Sequence, residues 1–303
     1  MKRRLIIVLL VLTIIALPVM TACAKPASEE KPISIYVHTT GDKTDQGWNQ
    51  SLYEAYVYIG DKYPNVKVGF AGMLPYAEHY TLMESLAREG TNIIYGSGAG
   101  FEAAAALAPE YPDTWFVLVG LFPEHLEGQP INIKSYLWRE EQAAYLLGVV
   151  AGMMTETNKI GNVAGIDFPN LVMVSYGYAL GAGPVNPDVE LSIVFTGSFI
   201  DQQKSYDATR IMIDSGVDVI LEETGTPLGT YDAARGRDVL LIGDAMDQRH
   251  LAPDQMITSW RVGHDVVLEA MLLDYMAGKS DHQVRNFGAE EGVEFLFPFS
   301  DWV

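Results

Sequence analysis

The chain has 303 residues, 49% of them hydrophobic, and a formal net charge of −19 at pH 7. That length is enough for two medium lobes or one large domain with a sizeable core. The acidity argues against nucleic acid, whose phosphates demand a basic surface, and against an extended anionic-lipid face, although as a solubility device it names no partner.

In chain order the first feature is a leader. Lys2, Arg3 and Arg4 precede an apolar run over residues 5–17 broken only by Thr13, and Thr21 and Ala22 stand directly before Cys23. This is the layout of a secretory signal peptide, and the run is shorter than the roughly 20 apolar residues of a membrane span. Cys23 is the single cysteine, so no internal disulfide is expected. The series resembles a bacterial lipobox, in which residues 1–22 are removed and Cys23 becomes a lipidated first residue. Met20 departs from the usual leucine, and a plain secretory signal with an incidental cysteine is the alternative. Residues 24–32 (AKPASEEKP) have charge, two prolines and no large apolar side chain, the composition of a flexible linker. The expectation is an extracytoplasmic body in the cell envelope, anchored to the membrane by lipid on Cys23.

Beyond the linker, segments rich in β-branched residues alternate with helical ones. Residues 33–38 (ISIYVH) predict a strand, 48–62 a helix, 66–70 a strand and 77–89 a helix. Residues 92–95 predict a strand running into Gly96, 101–108 a helix closed by Pro109, and 114–119 a strand. A helix over 140–154 opens a second cycle. Its strands fall at 159–165, 190–195, 217–221, 239–242 and 256–260, and its helices at 172–182, 204–215, 229–234 and 262–277. The alternation predicts an α/β fold with parallel sheets and helices on both faces. Two similar modules predict two Rossmann-like lobes, one over 33–157 with about 258–283 returning to it, the other over 158–257 with about 284–303.

In open α/β sheets ligands bind beyond the carboxyl ends of the strands. The loops at 39–49, 96–100, 120–123, 167–170, 196–201, 222–229 and 243–248 are therefore expected to converge on one cleft. The first of them carries Trp48, whose flat face suits a planar ring, with Asp45 and Asn49 as polar neighbours. Trp48 as a core anchor and Asp45 as a helix cap fit the spacing equally well. The GSGAG run at 96–100 offers backbone amides to a polar ligand, or is a tight turn; it lacks the spacing of a dinucleotide fingerprint or P-loop. No catalytic set is visible. The six histidines show no i,i+4 zinc pairing, and there is no G-x-S-x-G elbow. The pairs Glu140–Glu141 and Glu222–Glu223 read as solvated or capping carboxylates, because adjacent side chains diverge. No cofactor, metal site or catalytic residue is expected.

Six segments carry a resemblance: TDQGWNQSLYEA (44–55), IIYGSGAGFEAA (93–104), YPDTWFVLVG (111–120), EEQAAYLLGVVAGMMTETNKIGNVAGID (140–167), NPDVELSIVFTGSFID (186–201) and LIGDAMDQRHLAPD (241–254). Together, and in this order, they resemble the basic membrane protein family of bacterial lipoproteins, substrate-binding proteins of ABC importers for purine nucleosides and related bases. The resemblance implies a type I periplasmic binding protein fold with a three-crossover hinge, a monomer that closes on one small molecule and delivers it to an ABC permease, and no enzymatic activity. It implies that Trp48 stacks on the base beside Asp45 and Asn49. Thr39, Ser97, Gly98, Phe101, Gly120, Thr226, Ala245 and Asp247 complete the expected ligand-binding set. Nucleoside-binding members have acids where this chain has Thr39, Gly120 and Ala245, the last being the ribose-holding position, and a lysine where it has Glu290. Losing the ribose partner points to a purine base in preference to its nucleoside, unless Asp247, Thr226 or a water takes its place. A sugar or signalling-molecule receptor of the same fold, with Asp45, Asp201 and Asp247 holding hydroxyls, is the alternative. A nucleoside-cleaving enzyme would need a calcium-binding acid cluster or an acid–base pair.

Overall fold

The computed structural model describes residues 32–96, 100–281 and 284–303; the leader with Cys23, and Ser97 and Gly98, lie outside them. In chain order the strands and helices are β1 (Ile33–His38), α1 (Trp48–Lys62), β2 (Val66–Ala71), α2 (His79–Arg88), β3 (Ile93–Gly96), α3 (Phe101–Leu107), β4 (Trp115–Val119), α4 (Pro123–Leu126), β5 (Ile133–Trp138), α5 (Glu140–Met154) and β6 (Lys159–Ala164). Then follow α6 (Pro169–Ala182), β7 (Glu190–Phe195), α7 (Gln202–Asp214), β8 (Val219–Glu223), α8 (Leu228–Ala234), β9 (Leu240–Gly243), β10 (Met256–Val262), α9 (His264–Met276), β11 (Arg285–Phe287) and β12 (Glu294–Leu296).

The strands form two six-stranded sheets of matching order, β11-β5-β4-β3-β1-β2 and β12-β10-β9-β8-β6-β7. Every pairing is parallel except β10 with β12. Central strands of such sheets are covered on both faces and read as nearly continuous apolar runs. β3 (IIYG) is buried at every position. So is β8, whose last two residues are Glu222 and Glu223. This strand runs two residues beyond the predicted end at 221, because Glu222 and Glu223 stay in register with Val163 and Ala164 of β6.

The chain passes between the sheets three times: from β5 into α5 at Arg139, from β10 into α9 at Gly263, and from β11 to β12 over residues 288–293. The α5 helix packs on α6 of the second lobe, and α9 returns to pack on α1 of the first. The passage near 157 in the sequence reading therefore falls at the start of α5, and β10 stays in the second sheet to Val262. The three connections are tied together. Arg139 N donates to Phe287 O (2.7 Å), Gly263 N to Val293 O (3.0 Å) and Ala289 N to Gln142 Oε1 (2.9 Å). Away from this hinge the second lobe is tightly joined to α5. A Cβ at Gly148 would collide with the Tyr178 carbonyl, and one at Gly181 with that of Tyr145, so α5 and α6 approach backbone to backbone.

Strand β5 (IKSYLW) is absent from the sequence reading, since Lys134 and Ser135 break its apolar pattern. Both are buried with partners: Lys134 Nζ donates to Asp281 O (2.6 Å) and lies over the Trp115 ring, and Ser135 Oγ donates to Leu121 O (2.6 Å). The three-residue β11 and β12 are too short to leave a period.

Candidate functional site

A cavity of about 390 Å³ lies between the carboxyl ends of the two sheets. From the first lobe it is lined by β1 and its following loop (His38, Thr39, Thr40), the start of α1 (Trp48, Asn49), Tyr95 of β3, Phe101 of α3 and Gly120 after β4. From the hinge and second lobe come Glu140, Phe168, Asn170, Phe199, Glu223, Asp244 and Trp260. The volume suits a molecule of one or two rings. The lobes meet beside it, where Gln248 Nε2 donates to Gln46 O (2.7 Å).

Aromatic rings supply much of the wall. Trp48 stands edge-on to His264, ring centroids 4.5 Å apart, and to Trp138, at 5.7 Å. Phe168 and Phe199 are stacked at 6.1 Å. Below Trp48, Thr39 Oγ1 donates to Asn49 Oδ1, and Asn49 Nδ2 donates to Asp45 Oδ2 (2.6 Å). The same Asp45 carboxylate accepts the amides of Gly47 (3.0 Å), Asn49 (3.2 Å) and Gln50 (3.0 Å) at the start of α1. It therefore caps the helix and fixes the Asn49 side chain at once.

The other functional chemistry is acidic. Glu140, Glu223 and Asp244 are each at most 5% exposed and line the cavity. Burial, then the Asp244 carboxylate, pushes Glu140 up to about 8, and burial with the nearby Asp45 pushes Asp244 up to about 7. Burial raises Glu223 well above the usual carboxylate range. Each is held at one oxygen by a neutral donor. Asn170 Nδ2 donates to Glu140 Oε2 (3.3 Å), Asn162 Nδ2 to Glu223 Oε2 (2.9 Å) and Trp260 Nε1 to Asp244 Oδ1. Behind them Glu222 and Glu294 are also buried. Burial and nearby carboxylates raise both, Glu222 to about 8. These acids correct the reading of the Glu140 and Glu222–Glu223 positions as solvated or capping: β8 and the first turn of α5 carry them into the interior. Only Glu141 remains partly exposed, paired with Arg139.

Of the residues singled out from sequence, Thr39, Trp48, Asn49, Phe101 and Gly120 line the cavity. Gly120 has φ 82°, a conformation that a Cβ would strain. Asp45 sits one layer behind. Three further residues do not line the cavity either. Thr226 is buried and donates to Phe199 O (3.2 Å). Ala245 adopts φ 65° and turns into a separate depression beside Ser51, Glu54 and Arg261. Asp247 is gripped by Arg249 through Nη2 (2.6 Å) and Nε (2.9 Å), which holds its carboxyl below the usual range. Because Asp244, one residue before Ala245, faces the cavity, the absence of an acid at 245 does not leave the site without carboxylates. The sequence reading had placed the loops beginning at 222 and 243 at the cleft. It missed that Glu223 and Asp244 themselves stand at the strand ends, and it gave His38, Tyr95, Phe168, Phe199 and Trp260 no role.

The family described as ABC transporter substrate-binding protein PnrA-like (Bmp) matches residues 33–296, and the chain belongs to it. It is 27% identical to a purine-binding protein of Brucella abortus over 287 residues, 91% of this chain and 78% of that one. It is 29% identical to a putative ABC transporter glucose-binding protein of Haloferax volcanii over 203 residues, 66% of this chain and 49% of the other. The structure resembles that of an ABC transporter solute-binding protein from Aeropyrum pernix, with TM-score 0.78 and 26% identity, covering 88% of this chain and 77% of that one. The fold is thus a type I periplasmic binding protein. Among the described residues no helix is long and apolar enough to cross a membrane.

Proposed function

We propose that this protein captures a purine nucleoside or base in the interlobe cavity and delivers it to an ABC permease, tethered to the membrane by lipid on Cys23. One observation carries the ligand reading: rings from both lobes flank a cavity that also holds Glu140, Glu223 and Asp244. Trp48, Phe101, Phe168 and Phe199 supply faces and edges for a planar base. The carboxylates supply charge-assisted acceptors for ring N–H, amino or sugar hydroxyl groups. Asn49 and Thr39 add polar contacts at the first-lobe end. The purine-binding relative supports the heterocycle, and the acids give a ribose the partners that Ala245 lacks, so a nucleoside fits as well as a base. Lobe motion about Arg139, Gly263 and residues 288–293 would close the site and signal occupancy.

Mass spectrometry of small molecules released on denaturation, followed by titration calorimetry with adenine, guanine, hypoxanthine and their nucleosides, tests this. Submillimolar binding of at least one is expected. Binding of glucose or another hexose with silence from all six would favour a sugar receptor, the reading that the carboxylates and the glucose-binding relative support. The anchor is tested separately. Membrane-fraction protein should begin at an acylated Cys23, and a soluble unmodified chain from the native host would refute it.

A further inference from the structure

We propose that the ligand carries a positive charge, so that within the purine class it is a cationic nucleoside or base, neutralised by Glu140, Glu223 and Asp244. This rests on the reading of the cavity as a site for a planar heterocycle.

Three features point the same way. First, the carboxylates are half-satisfied in the same manner. One oxygen of each is tied to a neutral side-chain donor, and no second side-chain donor reaches any of the three among the described residues, the Ala245 amide adding a backbone contact at Asp244 alone. Secondly, no lysine or arginine lines the cavity among the described residues, whose basic side chains there are the imidazoles of His38 and the exposed His125, and the undescribed residues 97–99 are Ser, Gly and Ala. Arg139, the basic side chain nearest in sequence to Glu140, is paired with Glu141. Thirdly, the cavity holds other buried polar atoms without a protein partner: the Tyr95 hydroxyl and both ring nitrogens of His38, residues no more than 1% exposed. Burial and the neighbouring His79 hold His38 neutral, down to about 3, so it brings no compensating charge.

The acids favour a charged ligand through their ionised form. A ribose presents two adjacent hydroxyls, which one carboxylate accepts, and a base edge employs a second. A third, if ionised, would leave excess negative charge in a closed site, and burying unpaired charge is costly, so beside a neutral ligand it would have to keep its proton. A cation removes that excess. The rings around it add cation–π attraction, which is strongest where water is excluded. Without a cation the three groups retain protons, in keeping with their raised pKa values.

The test uses a pair of equal shape and different charge. 7-Methylguanosine is cationic on its imidazole ring below neutral pH, and 7-methyl-7-deazaguanosine is its neutral isostere. Both are titrated calorimetrically at about pH 6 beside guanosine, adenosine and thiamine, a cationic heterocycle that is not a purine. The cation is expected to bind about tenfold or more tightly than its isostere, the margin of a charge-assisted over a neutral hydrogen bond. Glu223→Gln and Asp244→Asn, checked for folding by circular dichroism, should each shrink that ratio towards one. If guanosine or adenosine binds and the isostere matches the cation, the charge inference is overturned and the nucleoside reading stands. If thiamine binds and no purine does, the purine reading falls and the charge inference stands. Silence from all five, together with silence from the free bases adenine, guanine and hypoxanthine, overturns both.

Discussion

The two walls of the cavity differ in chemistry. The first-lobe wall, built from Thr39, Trp48, Asn49, Tyr95, Phe101 and Gly120, has no carboxylate, and its polar groups are amides, hydroxyls and the imidazoles of His38, held neutral, and His125. The hinge and second-lobe wall combines Phe168, Phe199 and Trp260 with Glu140, Glu223 and Asp244. The split follows from the fold. Glu223 ends β8, Asp244 follows β9, and Glu140 opens α5, the helix packed against the second lobe at α6. One lobe thus offers a surface for a flat ring, and the other carries the groups that read hydrogen-bond donors and charge. A ligand engages both only when the hinge brings them together, so occupancy and closure are linked.

If the acidic wall carries most of the affinity, its loss has the largest effect. The double variant Glu223→Gln, Asp244→Asn should weaken binding of the co-purifying ligand by about 100-fold. Each exchange gives up roughly 1 to 1.5 kcal/mol of charge assistance. Titration calorimetry measures it, with the hinge and the Trp260 contact left in place. A loss below about fivefold would move the binding energy to the aromatic wall and reverse the comparison.

Trp48→Ala is the matching change on the first-lobe wall. Stacking and burial of a base against one ring is worth roughly 1–3 kcal/mol, and here the edge-on contacts with Trp138 and His264 hold the ring in place. An affinity loss of about tenfold is expected, with a change in tryptophan fluorescence on ligand addition that the variant lacks. Full affinity in a folded variant would make Trp48 a packing residue that only borders the cavity.

The same contrast separates what the sequence shows from what it hides. The Trp48 end of the ring wall was legible, because Trp48 and Asn49 sit in a strand-to-helix loop with Gly41 and Gly47, where the fold places ligands, whereas His38 and Tyr95 were not. The acidic wall was not. Glu222 and Glu223 end an apolar run and look like the polar boundary of a strand, yet the strand continues through them into the interior. Asp244 was hidden by register. The φ of 65° at Ala245 changes which residue after β9 faces the cavity, and no alternation pattern reveals a left-handed residue in advance. The βα alternation that gave the two lobes was legible because most helices and strands are long enough to show a period, which the four-residue α4 is not. β5 escaped because tertiary partners satisfy Lys134 and Ser135, a matter of packing beyond local pattern.

The acidic wall should also show itself without ligand, in the dependence of stability on pH. Glu140 has a folded pKa of about 8 against about 4.3 when unfolded. The folded state therefore binds more protons between these values, and stability falls as pH rises through that window. The buried histidines His38 and His264, both held down to about 3, act with the opposite sign below about pH 6.5. Their contribution cancels when a variant is compared with the wild-type protein. Glu140→Gln should raise the apo melting temperature by about 2 to 5 °C at about pH 8.5, and the gain should shrink as pH falls and vanish below about pH 3.5, where both states are protonated. A gain independent of pH would mean that the substitution acts through packing.

The smallest effect is expected just outside the second-lobe wall. Asp247 lies three residues after Asp244 and belongs to the most family-like part of its loop, so a reading by sequence position makes it a ligand contact. Its carboxylate is instead engaged at both oxygens by Arg249, partly exposed, and absent from the cavity lining. A partly exposed pair of this kind contributes roughly 0.2–1 kcal/mol to stability and nothing directly to the ligand. Asp247→Ala should therefore change affinity by less than about twofold while lowering stability slightly, both measurable on one purified variant by calorimetry and thermal melting. A loss approaching that of the Asp244→Asn change would show that Asp247 releases Arg249 and turns inward when ligand binds, which would extend the acidic wall to a fourth carboxylate.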